Sequence, residues 1–149
     1  MIRNATHDDK PRLMALAQIM HAESRFAEKY PFDTDKVADL LTAAIDSEVH
    51  CALVCTDGTD VNGALFGYVA EQYFSRAKVA QDMALFVSPD KRGGIAAVRL
   101  CKAFHAWSKT VGAVDCEIAH NTDVQPERFG LLMEASGFHL VGRLFSKGV

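Results

Sequence analysis

The spacing of apolar positions changes several times along this chain, and each change marks an element. Residues 1–5 read as a short strand. Thr6-His7-Asp8-Asp9 places a hydroxyl three residues ahead of an acid, which predicts a helix start. Pro11 also fits the first turn of a helix capped by Asp8. Leu13, Leu16, Ala17, Met20 and Ser24 follow at helical spacing until Tyr30-Pro31-Phe32-Asp33 breaks it. Thr34 opens a second helix to about Ile45, with Val37, Leu40, Leu41 and Ala44 on its face. Residues 50–56 are apolar and run into turn signals at Asp57-Gly58 and Asn62-Gly63, which mark a hairpin. Further strands are predicted at 64–74 and 79–87. A long helix at 94–110 carries Leu100, Phe104, Trp107 and Val111 as a core stripe and ends at Gly112. A strand at 113–119, a helix at 124–136 and a last strand at 138–146, reached through Gly137, complete the pattern.

The order β-α-α-β-β-β-α-β-α-β, without repeats or linkers, predicts a single α+β domain over residues 1–149. That length buries roughly two-thirds of the unfolded surface. Apolar residues make up 49% and charged residues 23%, the balance of a globular protein. A net charge of −3 argues against general nucleic-acid binding, which needs a basic face. There is no long apolar run and no basic-then-apolar leader, so the expectation is a cytoplasmic protein without membrane attachment. Cys51 and Cys55, if on one strand, lie roughly 13 Å apart at about 3.3 Å per residue, too far for a disulfide or shared zinc. Cys51, Cys55, Cys101 and Cys116 therefore read as buried, reduced thiols.

The candidate chemistry centres on Leu85-Phe86-Val87-Ser88-Pro89-Asp90-Lys91-Arg92-Gly93-Gly94-Ile95-Ala96-Ala97-Val98. A strand runs into a Pro turn, then two cations, two glycines and a helix start. Glycines let backbone approach a ligand closely. The first amides of a helix lack internal partners, and that end carries roughly half a positive charge, so a phosphate is favoured there. The stretch resembles the acyl-CoA pyrophosphate loop of the GNAT N-acetyltransferases, (Gln/Arg)-x-x-Gly-x-(Gly/Ala). One register starts at Lys91 and keeps Gly94 and Ala96 as the small residues. The other starts at Arg92 and keeps the Val-x-Pro-x-x-Arg lead-in, with Ile95 at the usual glycine. The second is preferred, because strand-to-loop length is harder to change than one side chain.

The resemblance extends along the chain. Ile2-Arg3-Asn4-Ala5-Thr6-x-x-Asp9 is similar to the family's first strand and helix start. The stretch from Asn121 through Leu131-Leu132-Met133-Glu134-Ala135-Ser136-Gly137-Phe138 is similar to its last helix followed by Gly-Phe. Met20 to Phe26, Pro31-Phe32-Asp33 and Arg92-Gly93-Gly94 with Ala106-Trp107 resemble small GNAT proteins of phages and prophages. The fold implied is an α/β sandwich, a mixed sheet of about six strands flanked by about four helices. The activity implied is acetyl-CoA-dependent N-acetyl transfer to a primary amine of a small molecule or protein lysine, by direct attack in a ternary complex.

By the same resemblance, Leu85, Phe86 and Val87 pair with the pantetheine arm. Arg92, Gly93, Gly94, Ile95, Ala96 and Ala97 take the pyrophosphate on their amides, with Lys91 or Arg92 adding charge. Asn121 lies beside the pantetheine and thioester. Asp82, close to the position where many relatives carry a catalytic Glu, is the candidate base, or else a strand-start acid facing solvent. Strand alternation puts Asp82, Ala84 and Phe86 on one face and Met83, Leu85 and Val87 on the other. Glu71 and Gln72 are alternatives for orienting a water. Met133 stands where relatives often carry a tyrosine that protonates the thiolate, which leaves His120 as a candidate acid or a strand-end polar residue. A thiol pKa of about 8.5 makes that acid dispensable.

The substrate wall implied is the first two helices and their loop, with His21, Glu23, Arg25, Tyr30 and Asp33. Glu23 is either a group for a cationic amine or an exposed helix carboxylate. His7, His50, His105 and His139 have no partner at metal spacing, so no metal is expected. The late strands of GNAT proteins often pair, which implies a homodimer. The change at Met133 leaves a second expectation open, a weak or inactive GNAT-fold protein that binds a host or phage protein. An unrelated α+β ligand-binding domain is a third.

Overall fold

The segment His50–Asp57 is apolar without a break from Cys51 to Cys55 because the strand it forms is covered on both sides. In the computed structural model, which describes residues 1–149, this strand is β2. Around it lie β1 (Ile2–Asn4), α1 (Lys10–Glu23), α2 (Thr34–Asp46), β3 (Asp60–Glu71), β4 (Lys78–Val87), α3 (Ala96–Thr110), β5 (Ala113–Glu117) and α4 (Pro126–Ala135). The five strands lie side by side in chain order, antiparallel from β1 to β4 and parallel between β4 and β5. On one face Ala52, Val54, Ala64 and Phe86 pack with Leu13 and Leu16 of α1 and Leu41 and Ala44 of α2. On the other, Cys51, Leu53, Leu65, Ala80 and Val87 pack with Leu100 and Phe104 of α3. No helix is long and apolar enough to cross a membrane.

The α+β architecture agrees with the sequence pattern, and local signals hold closely. Thr6 and Asp9 form the predicted box, with the Thr6 amide donating to Asp9 Oδ2 at 2.8 Å and the Asp9 amide to the Thr6 carbonyl at 3.0 Å. Arg3 donates to both oxygens of Asp9, at 2.7 and 2.8 Å, and holds that carboxyl at about 2. The box opens a 3-10 turn at His7–Asp9 before α1 begins. Phe104 is fully buried and Trp107 stacks on it at 5.5 Å. Gly112 ends α3 in the left-handed region at φ 74°. Leu40 departs from the predicted α2 face and is 51% exposed, because Val37, Leu41, Ala44 and Ile45 already span the buried stripe.

Three differences arise from pairing rather than local pattern. Asn62-Gly63 is not a turn. Gly63 pairs with Cys55 and Val61 with Thr56, so Asn62 bulges out of β3 and its carbonyl accepts the Ser88 amide at 2.8 Å. In β4, Phe66 faces Ala84 and Gly67 faces Asp82, so Met83 is an extra residue. That bulge reverses the alternation expected for 82–87, so Asp82 shares a face with Leu85 and Val87 and not with Phe86. The third is the strand expected at 138–146, which does not form. Its apolar residues Leu140, Val141, Leu144 and Phe145 are 69–87% exposed, and no strand pairs with the outer edge of β5. The sheet therefore has five strands where about six were expected.

Gly67 is where α3 comes closest to the sheet. A Cβ there would lie 2.5 Å from Phe104 Cε2 and 2.8 Å from the Gln81 carbonyl. Gly67→Ala should therefore cost about 1–3 kcal/mol of stability, read from urea unfolding. A cost near zero would mean that α3 seats differently.

Candidate functional site

A parallel pair needs a long crossover, and here α3 is that crossover between β4 and β5. The pair holds only from Lys78–Ala113 to Gln81–Glu117. Beyond it β4 runs on to Val87 against β3 alone, so its outer edge has no strand partner. The chain after β5 turns away through residues 118–125. One bond bridges the gap, the Ala119 amide donating to Asp82 Oδ1 at 2.8 Å. Burial pushes the Asp82 carboxyl up to about 6, opposed by this amide.

At the far end of β4, Pro89–Lys91 forms a 3-10 turn and Gly93 takes φ 85°, a conformation that favours glycine. The first α-helical bond of α3 runs from the Arg99 amide to the Ile95 carbonyl at 3.0 Å. The backbone N–H groups from Gly93 to Val98 donate to no group in the protein. Such a run of free amides at a helix start is a cradle for an anion. A cavity of about 450 Å³ extends from these glycines along Leu85, Phe86 and Val87 to Asp82, His120 and Asn121.

No family profile matches this sequence, and no curated protein does. Solved structures do match its fold. An aminoglycoside 6′-N-acetyltransferase from Acinetobacter haemolyticus superposes with a TM-score of 0.75 at 13% identity, covering 100% of this chain and 99% of that one. An acetyltransferase from Trypanosoma brucei gives 0.72 at 16%, with the same coverage. A protein described as a transcriptional regulator from Bacillus halodurans gives 0.79 at 13%, again covering 100% and 99%. The chain has the GNAT acetyltransferase fold. At these identities the likeness carries the fold and no activity.

Within this GNAT fold the residues expected at the cofactor side come together. Leu85, Phe86, Val87, Lys91, Arg92, Gly93, Gly94, Ala97 and Asn121 line the cavity. Ile95 does not line it and is 58% exposed. Ala96 also lies off the cavity wall, but its amide belongs to the free run. Arg92 departs from its expected role. Its Nε donates to the Val87 carbonyl at 2.9 Å, its guanidinium lies 5.1 Å over the Phe86 ring, and it forks onto both oxygens of Glu23. Glu23 is thus no free helix carboxylate. His120 lines the cavity, but its Nε2 is bound to the Val124 carbonyl at 2.9 Å. A neutral His120 spends its Nε2 hydrogen there, which leaves that proton unavailable to a leaving thiolate.

On the acceptor side the expected residues divide. Arg25 braces the loop between α1 and α2, with Nε donating to the Asn121 carbonyl at 2.6 Å and its amide to the Thr122 carbonyl at 3.0 Å. His21 is tied to the Tyr30 carbonyl at 2.7 Å, and neither residue lines the cavity. Asp33 caps α2 by accepting the Lys36 amide at 2.9 Å. Glu71 lies outside the site, because it pairs with Lys78 at the opposite end of β4. That is four residues of strand from Gly67, roughly 13 Å at about 3.3 Å per residue. A second, polar cavity of about 750 Å³ adjoins the first and shares Glu23, His120 and Asn121 with it.

Several cavity residues were not anticipated. Met20 and Phe26 supply one wall, and Phe129 and Leu132 of α4 another. Arg128 of α4 is the important addition. Its Nη2 lies 3.5 Å from where a Cβ on Gly93 would be, so a second guanidinium overhangs the free amides. Only its short distance in sequence from Asn121 hinted at this. Asp123 and Gln125, at φ 61° and 49°, hold the connecting loop in a conformation that few non-glycine residues adopt.

Because the Asp82 carboxyl is raised to about 6 in the fold, ionising it opposes folding. Stability falls as pH rises from about 4 to about 6, and stays lower above that. Asp82→Asn keeps the acceptor oxygen for Ala119 and removes the charge. It should match the native protein at pH 4 and exceed it by about 1–2 kcal/mol at pH 8. Equal urea midpoints at both pH values would place Asp82 in contact with water.

Proposed function

We propose that the protein transfers an acetyl group from acetyl-CoA to a primary amine by direct attack in a ternary complex. The observation that carries this reading is the run of free amides from Gly93 to Val98, opening onto a cavity that follows an unpaired strand edge to a half-buried carboxylate. That is the outline of a pyrophosphate with an extended arm. The co-substrate brings the activated thioester. The amides of Gly93 to Val98 hold its pyrophosphate, with Lys91 and Arg128 as the adjacent cations. The outer edge of Leu85 to Val87 orients the arm, and Asn121 flanks its end. Asp82, ionised above pH 6, accepts the proton of the attacking amine. A C–N bond forms, the C–S bond breaks, and the thiolate leaves without an acid from the protein.

Glu23, Glu28 and Asp123 outnumber Arg25 and Lys29 around the polar cavity, and with the net charge of −3 this favours a cationic acceptor such as a polyamine or a protein lysine.

Calorimetric titration with acetyl-CoA, dephospho-CoA and free pantetheine tests the cofactor assignment. Binding should require the pyrophosphate, and Arg128→Ala should weaken it about fivefold. Undiminished binding of free pantetheine would remove the cradle from the reading. In an amine screen that includes lysine peptides, the rate should rise about tenfold per pH unit below pH 6 and level off above. Asp82→Asn should be slow and should lose the bend at about pH 6 while binding acetyl-CoA normally. CoA binding with no turnover of any amine would instead favour a protein that acts by binding a partner.

A further inference from the structure

The Arg92–Glu23 pair joins the loop after β4 to the last residue of α1, and both residues line the cavity. Both side chains are only about a quarter exposed, at 24% and 28%. Glu23 stands at a helix C-terminus, where the helix dipole disfavours a negative charge. Arg92 is what holds it there. Arg92 directly precedes the free amides in the chain and lines the same cavity, so a phosphate held there would compete for its guanidinium with more charge and more acceptor oxygens than a carboxylate. Glu23 also lines both cavities, so a carboxylate leaving Arg92 has the polar cavity to enter. Of the cations there, Arg25 is already committed to the Asn121 carbonyl, and Lys29 is balanced in charge by the neighbouring Glu28 on the same cavity wall.

We propose that Glu23 is the residue that selects a cationic acceptor, and that Arg92 withholds it until a phosphate takes its place. Without an anion the two charges neutralise each other and the acceptor cavity lacks the Glu23 carboxylate as a free charge. A phosphate on Arg92 frees Glu23 to pair with an ammonium group. Cofactor and acceptor sites are then coupled through one ion-pair exchange, and the coupling acts equally in both directions. This inference rests on the cofactor reading above.

The test is titration of the whole protein with CoA and with spermidine, each alone and in the presence of the other. In the native protein CoA should tighten spermidine binding by about three- to tenfold, and spermidine should tighten CoA binding by the same factor. Glu23→Gln should bind CoA about three- to tenfold more tightly and show no coupling. Arg92→Gln should also lose the coupling, and it serves as the second probe if Glu23→Gln folds poorly by circular dichroism. Native protein that binds CoA, with Glu23→Gln binding it no better or keeping the coupling, would overturn the inference and leave the cofactor reading intact. Failure of native protein and both variants to bind CoA would overturn the two together.

Discussion

Everything at this site depends on the point where β4 and β5 stop pairing. A parallel ladder that continued past Gln81 and Glu117 would close the cavity and satisfy the β4 edge. Three features stop it. The extra residue at Met83 twists β4, Asp82 takes the Ala119 amide on its side chain where a strand partner would use backbone, and Arg25 pulls residues 121–122 towards α1. Below the split the sheet is tied by a polar chain, Tyr68 to Gln81 at 2.8 Å and Gln81 to Glu117 at 2.7 Å. Because α3 links the C-terminal end of β4 to the start of β5, its N-terminus has to stand at the open end of the split. The anion cradle is thus a consequence of the crossover, and the glycines only make it accessible.

Charge is distributed around this opening with few groups to spare. Arg92 is engaged by Glu23, and Arg25 by the Asn121 carbonyl. Lys91 has no ion-pair partner, and Arg128 holds only the Gln125 side chain at 3.2 Å. Lys91 and Arg128 are therefore the cavity cations least committed elsewhere. Asp82 sits at the other end of the cavity in the opposite situation, a carboxyl raised by burial with only backbone amides to favour its charge. Positive potential at one end and a proton acceptor near neutrality at the other suit a ligand whose anionic and reactive ends are far apart.

What could be read from the chain beforehand was whatever depends on neighbours three or four residues away. The Thr6–Asp9 box, the Leu100, Phe104 and Trp107 positions of the α3 stripe and the Gly112 stop are local and formed as expected, while Val111 falls past the helix end. The glycine loop was legible for the same reason, as a strand, turn and helix start in direct succession. The bulge at Met83 was not, since it is set by Gly67 and Phe104 on two other elements. Its consequence was large, because one inserted residue moved Asp82 to the opposite face. Leu140, Val141, Leu144 and Phe145 had enough apolar character for a strand but found no ladder, which no pattern within residues 138–146 could reveal. Arg128 belongs to the same class, a residue whose role comes from what packs beside it.

The core and the site meet at Phe104. Its ring lies over Gly67, the one position in β3 where a missing side chain lets α3 approach the sheet so closely. Gly67 pairs with Asp82, so the same contact fixes the height of α3 and the strand position of the carboxyl. Two turns earlier in α3 is Ala97, on the cavity wall among the free amides. A helix is stiff over that distance, so lifting Phe104 would displace the cradle relative to the strand edge and Asp82. A ligand that spans from the amides to the carboxyl is sensitive to that displacement at both ends. The separation between cradle and carboxyl is therefore set in the hydrophobic core, by one glycine and one phenylalanine that need never touch the ligand.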